Sequence, residues 1–113
     1  MKVTIDVLER YLSDRYKGWA NEQGLFLKLV EEIGEVAEII NMRCGNKKAA
    51  DVDLKNELGI ELADMIHYIV AIAAINDIDL NSVIIEKDKI GSAKYNHKIN
   101  LENFILKEAG KSD

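Results

Sequence analysis

The apolar residues of this chain recur at intervals of three and four positions, and the chain contains no proline. Such spacing places side chains on one face of an α-helix, whereas strict alternation is typical of a strand. Proline is the residue that most strongly breaks helices, so its absence permits long uninterrupted ones. The pattern therefore predicts an all-α fold of helices joined by short polar turns.

Four helices and a short fifth are predicted, because the periodic segments are bounded by residues that favour helix ends. The predicted boundaries are Thr4 to about Lys17, about Leu25 to Met42, Asp51 or Asp53 to about Ile75, Asp79 or Asn81 to about Tyr95, and a terminal helix from Asn100. Gly45 suits the position after the second helix, and the polar connection that follows is predicted to be mobile. The chain has no internal repeat or long linker, so residues 1–113 are predicted to form a single domain.

The composition of the chain is typical of a soluble globular protein that does not bind polyanions directly. Hydrophobic residues make up 48% and charged residues 31%, and the formal net charge is −5. An acidic protein repels nucleic acid and anionic lipid, so neither is an expected partner, and a phosphate-bearing ligand needs cations in between. The apolar stretch from about Met65 to Ile75 is too short to cross a bilayer. With a single cysteine, Cys44, and no targeting leader, the protein is expected to be cytoplasmic.

Four glutamates gather within two turns of the second predicted helix, in the segment LVEEIGEVAEII. On a helical wheel of about 100° per residue, one apolar stripe of this helix contains Leu25, Leu29, Ile33, Val36 and Ile40. Glu31, Glu35 and Glu38 fall on the far side, where they could simply be solvated. Glu32 instead lies at the flank of the stripe, with Glu35 beside it across the boundary. One flank of the helix therefore turns acidic where it should be apolar.

A second group of acids interrupts the most apolar segment, NELGIELADMIHYIVAIAA. Apolar residues surround nearly the whole third helix, which is therefore expected to be buried on most sides. These residues are Leu58, Ile60, Leu62, Ala63, Met65, Ile66, Ile69 and Val70. Glu57, Glu61, Asp64 and Tyr68 occupy the one remaining strip, which becomes apolar a turn later. A strip that is acidic and then apolar is more easily explained by a pocket than by open water.

Two interpretations of the acids remain open from the residues alone. A solvated face is the common explanation for one acidic pair on a helix. Like charges one turn apart nevertheless repel, and they repel far more strongly once partly desolvated. A divalent ion held by carboxylates from two facing helices removes that repulsion, and an all-oxygen ligand set favours Mg²⁺ or Mn²⁺ over zinc.

The order and context of these acids resemble a known family. EEIGE, followed after a polar connection by ELAD, resembles the EExxE…ExxD signature of the MazG-like all-α nucleoside triphosphate pyrophosphohydrolases. The resemblance runs from about Trp19 to Tyr95 and includes LKLVEEIGEVAE, ELADMIHYIVAIAAINDIDL and the basic segment VIIEKDKIGSAKY. It implies a four-helix-bundle-like core with a short C-terminal helix. It also implies Mg²⁺-dependent hydrolysis of a nucleoside triphosphate, an NTP or a dNTP, to the monophosphate and pyrophosphate.

The resemblance assigns roles to individual acidic residues. Glu32 and Glu35 match the metal ligands of the first motif helix, and Glu61 and Asp64 match those of the second. Glu31 matches the leading glutamate of the motif, an outer-shell residue or the base that activates water. The cation implied is Mg²⁺, with Mn²⁺ as an alternative.

Other matched positions concern the substrate. Lys87 and Lys94 match family positions associated with phosphate contact, and Tyr95 lies next to them; lysines on such a helix are otherwise solvated. Gly91 stands where the family commonly has an asparagine, so a contact is missing or is supplied elsewhere. Trp19 could stack on a nucleobase, although a lone tryptophan at a helix junction is more often a core anchor.

Two functions are carried forward from the sequence. The first is the pyrophosphohydrolase, and the second is a non-catalytic helical interaction or regulatory protein that retains the bundle. The acidic residue at each of the four ligand positions favours the enzyme. A homodimer or homotetramer is predicted, because the third helix has more apolar surface than its neighbours would cover. His67 is interpreted as a histidine of the core or the pocket edge.

Overall fold

The computed structural model describes residues 1–45 and 53–111, which form five helices and no strand. The helices are α1 (Ile5–Tyr16), α2 (Glu22–Arg43), α3 (Leu54–Ile75), α4 (Leu80–Lys94) and α5 (Leu101–Gly110). The predicted all-α class is therefore confirmed. The polar connection that was predicted to be mobile, and Asp51 as a possible cap, lie outside the described residues.

Each helix begins with a side chain that accepts a hydrogen bond from a backbone N–H of the first turn. The capping residues are Thr4, Asn21, Asp53, Asp79 and Asn100. The predicted start of α2 was three residues late, because Asn21 Oδ1 accepts from the Gly24 amide at 2.6 Å and brings this glycine into the helix. At the other end of α2, Gly45 has a φ of +77°, a conformation that glycine adopts without strain.

The first three helices form one compact unit in which α3 packs against both α1 and α2. Asn76, the C-cap of α3, donates a hydrogen bond from Nδ2 to Glu22 Oε1 at 2.8 Å, so α3 ends where α2 begins and the two helices are antiparallel. Lys17 forms an ion pair with Asp77 at the same end of the unit. The core of this unit contains Leu12, Tyr16, Leu25, Ile39, Val70, Ala71, Ala73 and Ala74.

The inward stripe of α2 differs from the predicted one. The residues of α2 that are buried or half-buried at helical spacing are Leu25, Leu29, Glu32, Val36, Ile39 and Met42. Ile33 and Ile40, which were predicted in the stripe, are each 46% exposed. The inward face of the helix is rotated by about one residue position relative to the predicted face. Glu32 therefore lies in the middle of the inward stripe and not at its flank.

The prediction that α3 is buried on most sides is wrong for the described chain. Only its last turns reach full burial, while Ile60, Leu62, Ile66 and Ile69 are between 42% and 50% exposed. Two neighbouring helices cannot cover the whole circumference of a third. By length and composition alone α3 could cross a membrane, a criterion that the core helix of a soluble protein also meets.

The second compact unit contains α4 and α5. Asp88 of α4 accepts a hydrogen bond through Oδ2 from the backbone N–H of Leu101 at 2.6 Å. Lys89 and Glu102 form an ion pair at 3.1 Å. A carboxylate of α4 thus satisfies an N–H at the start of α5, where four such groups have no partner within the helix.

Candidate metal centre and adjoining pocket

Three carboxylates converge where α2 faces α3. Glu32, Glu61 and Asp64 each offer one oxygen atom, and these three atoms lie within 4.8 Å of one another. Glu32 comes from the inward stripe of α2, while Glu61 and Asp64 are three positions apart on α3 and so point from one face of that helix. All three residues are half-buried. The helix packing therefore brings together acids that are 29 or more positions apart in the sequence.

The surroundings of Glu32 disfavour its charged form. A hydrogen bond with Glu61, partial burial, and then the charges of Glu61, Asp64 and Glu35 raise the pKa of Glu32 to about 7. A carboxylate whose pKa is raised in this way gains from a nearby cation. Because the ligand atoms are all carboxylate oxygens, the donor set fits a hard divalent ion such as Mg²⁺ or Mn²⁺.

The other acids predicted to take part lie beside this group. Glu35 is exposed and is not one of the three converging residues, although its charge contributes to the raised pKa of Glu32. Glu31 is also exposed, and its Oε2 lies 3.5 Å from the ammonium group of Lys28. Both residues are within three positions of Glu32, so they border the carboxylate group on the α2 side.

A pocket of about 390 Å³ opens between the end of α1, the start of α2 and the middle of α3. Its lining residues are Tyr16, Trp19, Ala20, Asn21, Gly24, Leu25, Lys28 and Tyr68. Partial burial raises the pKa of Tyr68, as do Tyr16 and the charges of Glu32 and Asp64, against the opposing effect of Lys28. Tyr68 therefore lies near the carboxylates, and the pocket adjoins the candidate metal centre.

Trp19 is not a core anchor, because 72% of its surface is exposed. Its indole N–H donates a hydrogen bond to the backbone carbonyl of Arg15 at 2.6 Å. Its ring lies 5.7 Å from the ring of Tyr16 between centroids. An exposed indole held in this way is a platform on which a planar group can stack.

Sequence reasoning missed the link between Tyr16 and His67. The Tyr16 hydroxyl and His67 Nε2 share a hydrogen bond of 2.8 Å between α1 and α3. Burial lowers the pKa of His67, and the charge of Arg15 lowers it further against the opposing effect of Asp64. The only signal in the sequence was the spacing of Tyr16 and Trp19, three positions apart at a helix end, which does not identify a partner on α3.

The residues predicted to contact phosphate lie in the second unit. Lys87, Lys94 and Tyr95 line a pocket of about 680 Å³ together with Gly91 and neighbouring residues of α4. The Lys94 ammonium lies 5.4 Å from the centroid of the Tyr95 ring. A Cβ atom added at Gly91 would have no neighbour within 4 Å among the described residues, so the position faces open space.

Comparison with known proteins identifies the family. Residues 20–98 match the MazG nucleotide pyrophosphohydrolase domain, and the chain belongs to this family. It is also similar to the crystal structure of iMazG from Vibrio DAT 722, with 26% sequence identity and a TM-score of 0.63 over 84% of this chain and 100% of that one. A search among curated proteins finds no match. The predicted MazG-like all-α fold is thus confirmed, and the domain is of the nucleotide pyrophosphohydrolase class.

Proposed function

We propose that this protein hydrolyses a nucleoside triphosphate, an NTP or a dNTP, to the monophosphate and pyrophosphate with Mg²⁺ or Mn²⁺ as cofactor. The observation that carries the proposal is the convergence of Glu32, Glu61 and Asp64 within 4.8 Å, in a chain that belongs to the MazG family. A bound divalent cation would neutralise triphosphate charge and polarise the phosphoryl oxygens. An acidic protein can bind an anionic substrate by this route.

The chain's own acids have separate roles in this proposal. Glu32, Glu61 and Asp64 would hold the cation directly, and Glu35, one turn from Glu32, would complete the ligand set from α2. Glu31 borders the same group and would accept the proton of the attacking water, as the leading glutamate of the motif. The Lys28 ammonium lies 3.5 Å from Glu31 Oε2 and forms an exposed ion pair with it.

The aromatic pocket is the proposed base site. Trp19 would stack on the nucleobase, because its ring is exposed, hydrogen-bonded through its indole N–H and adjacent to Tyr16. In the second unit, we propose Lys87, Lys94 and Tyr95 as phosphate contacts on the strength of the matched basic segment. A homo-oligomer is also part of the proposal, since α2 and α3 both expose large apolar side chains.

Pyrophosphate release from a panel of NTPs and dNTPs at millimolar Mg²⁺ tests the function. Asp64→Asn keeps the size of the side chain but removes a charge that the cation needs. We expect it to lower turnover by at least about a hundredfold, the scale of metal-assisted charge stabilisation. Glu38→Gln is the matched control, since this exposed residue of α2 is outside the motif positions and should leave turnover nearly unchanged. Equal effects of the two substitutions would reject the enzyme.

A further inference from the structure

Four aromatic rings form a continuous chain of contacts around the pocket. The Trp19 ring lies 5.7 Å from that of Tyr16, which lies 5.6 Å from the imidazole of His67. The imidazole in turn lies 5.0 Å from the ring of Tyr68. Tyr16, Trp19 and Tyr68 line the pocket, whereas His67 is not a lining residue. His67 therefore contacts two pocket walls that come from different helices.

The hydrogen bond of 2.8 Å between His67 Nε2 and the Tyr16 hydroxyl fixes the relative position of these walls. Tyr16 is only 9% exposed, so losing this bond leaves a polar group in a poorly hydrated place. Asp64, one of the converging carboxylates, is three positions before His67 on the same helix. One rigid turn of α3 thus carries both a candidate metal ligand and the residue that holds the aromatic wall.

We propose that His67 is a positioning residue for nucleotide recognition, which holds Tyr16, and through it Trp19, at a fixed distance from the carboxylates of α3. The inference rests on the proposed function for the identity of the ligand. It goes further by naming the residue that fixes the position of the base site relative to the carboxylates at which the phosphate chemistry would occur. His67 itself touches neither the base nor the cation in this role.

The role has a specific consequence. The Trp19 ring is mostly exposed, and its described contacts are the hydrogen bond to Arg15 and the ring contact with Tyr16. If Tyr16 shifts, the stacking surface shifts with it. Glu61 and Asp64 precede His67 on α3 and do not depend on the Tyr16 hydroxyl. Loss of the hydrogen bond should therefore weaken base-dependent binding while leaving the cation site intact.

Trp19 is the single tryptophan of the chain, so its fluorescence reports on the pocket directly. We would titrate the protein with dAMP, dCMP, dGMP and dTMP at millimolar Mg²⁺ and follow quenching of this emission. For the monophosphate that wild type binds best, Tyr16→Phe and His67→Leu should each weaken binding by about 3- to 10-fold, the range expected for one hydrogen bond. His67→Gln should restore binding to within about twofold of wild type, because a glutamine amide places a polar atom near the position of Nε2.

Three further measurements separate positioning from a general loss of structure. The double variant Tyr16→Phe/His67→Leu should bind no more weakly than the weaker single variant, since both remove the same hydrogen bond. Tyr11→Phe is the matched control on α1, because this tyrosine is exposed and its hydroxyl accepts only a long hydrogen bond from Arg15. The increase in melting temperature caused by Mg²⁺ should be the same in His67→Leu as in wild type.

Several results would overturn the inference. One is a wild type whose fluorescence no monophosphate quenches, and another is a pair of single variants that bind the monophosphate like wild type. Additive losses of binding in the double variant, or a His67→Gln variant that binds as weakly as His67→Leu, would also overturn it. So would a His67→Leu variant whose melting temperature no longer rises with Mg²⁺. Failure of the proposed function is distinguishable from all of these. A wild type that shows the expected quenching pattern but releases no pyrophosphate from any triphosphate would keep His67 as a positioning residue and reject the hydrolase.

Discussion

Glu32 is the acid of α2 whose environment differs most from that of its neighbours. Glu31, Glu35 and Glu38 are exposed, whereas Glu32 lies in the inward stripe and shares a hydrogen bond with Glu61. Two carboxylates can share a hydrogen bond only when one of them holds a proton. In the absence of a cation, the site therefore retains a proton up to a pH near 7, the pKa of Glu32.

This shared proton predicts how metal-free stability depends on pH. The folded pKa of Glu32 is raised from 4.5 to about 7, so its contribution to stability is complete below about pH 4.5 and is lost as the pH rises through 7. Between about pH 5 and pH 8 in EDTA, we expect the melting temperature to fall by about 4 °C, equivalent to roughly 1 kcal/mol. This is less than the pKa shift alone would give, because solvent screens the charges around this half-buried group. Mg²⁺ should raise it more at pH 8 than at pH 5, because protons compete with the cation.

Glu32→Gln is the control for this pH dependence, because its side-chain amide does not titrate. The lowered pKa of His67 acts in the opposite direction: its contribution is present above the ordinary histidine pKa and is lost as the pH falls. The comparison of wild type with Glu32→Gln removes that background. A wild-type melting temperature that follows the pH profile of Glu32→Gln would show that no proton is held at the site.

Helical spacing alone revealed part of the candidate site. It placed Glu61 and Asp64 on one strip of α3 and set Glu32 apart from the other acids of α2. The hydrogen bond between Tyr16 and His67 joins residues 51 positions apart, so it depends on how α1 packs against α3. Periodicity describes one helix at a time and carries no information on such partners.

At the level of helices, the chain's capping residues made the boundaries largely predictable. Thr4, Asp53, Asp79 and Asn100 cap helices at positions that the sequence had indicated, alone or as one of two choices. The start of α2 was the exception. Because glycine has a low helix propensity, Gly24 was expected to lie before the helix. The hydrogen bond that its backbone N–H donates to Asn21 Oδ1 outweighs that preference.

The contact between Asp88 and α5 gives a prediction for one helix. Its carboxylate accepts the Leu101 N–H at 2.6 Å and adds negative charge at a helix N-terminus, which stabilises the helix. Asp88→Ala should lower the free energy of unfolding by about 1–2 kcal/mol. Urea denaturation measures the loss, and amide hydrogen exchange should show faster exchange in α5.

Asp88→Asn provides a matched comparison, because it can still accept the hydrogen bond but lacks the charge. It should lose less stability than Asp88→Ala. Amide exchange in α5 that is unchanged in Asp88→Ala would mean that Asn100, which accepts the Asn103 N–H at 2.9 Å, is sufficient to start this helix.

At the level of the whole molecule, the main departure from expectation is the exposure of apolar side chains. The sequence correctly indicated that α3 is apolar around most of its circumference, but not which sides its own chain would cover. That depends on the number of neighbours, and within the first unit α3 packs against only α1 and α2. Exposed apolar stripes of this kind are typical of surfaces that another protein covers.

The exposed stripes lead to a prediction about assembly. On α2 the exposed apolar side chains recur at helical spacing as Phe26, Val30, Ile33 and Ile40, and on α3 as Leu62, Ile66 and Ile69. Phe26 and Leu27 also form, with Ile72, an apolar groove of about 450 Å³ between the two helices. We expect a second copy to cover this surface, so light scattering at tens of micromolar should give the mass of a dimer or tetramer.

Ile66→Glu tests whether the surface itself is responsible. Ile66 is 50% exposed in one chain, so a charged side chain there would meet water and should leave the isolated fold intact. Within an interface the same charge would be desolvated, and this should shift the protein to a monomer. Ile90→Glu in α4 is the control, because this residue is 64% exposed and lies outside the proposed surface. A wild type that is monomeric, or an Ile66→Glu variant that keeps the wild-type mass, would mean that these stripes are not the interface.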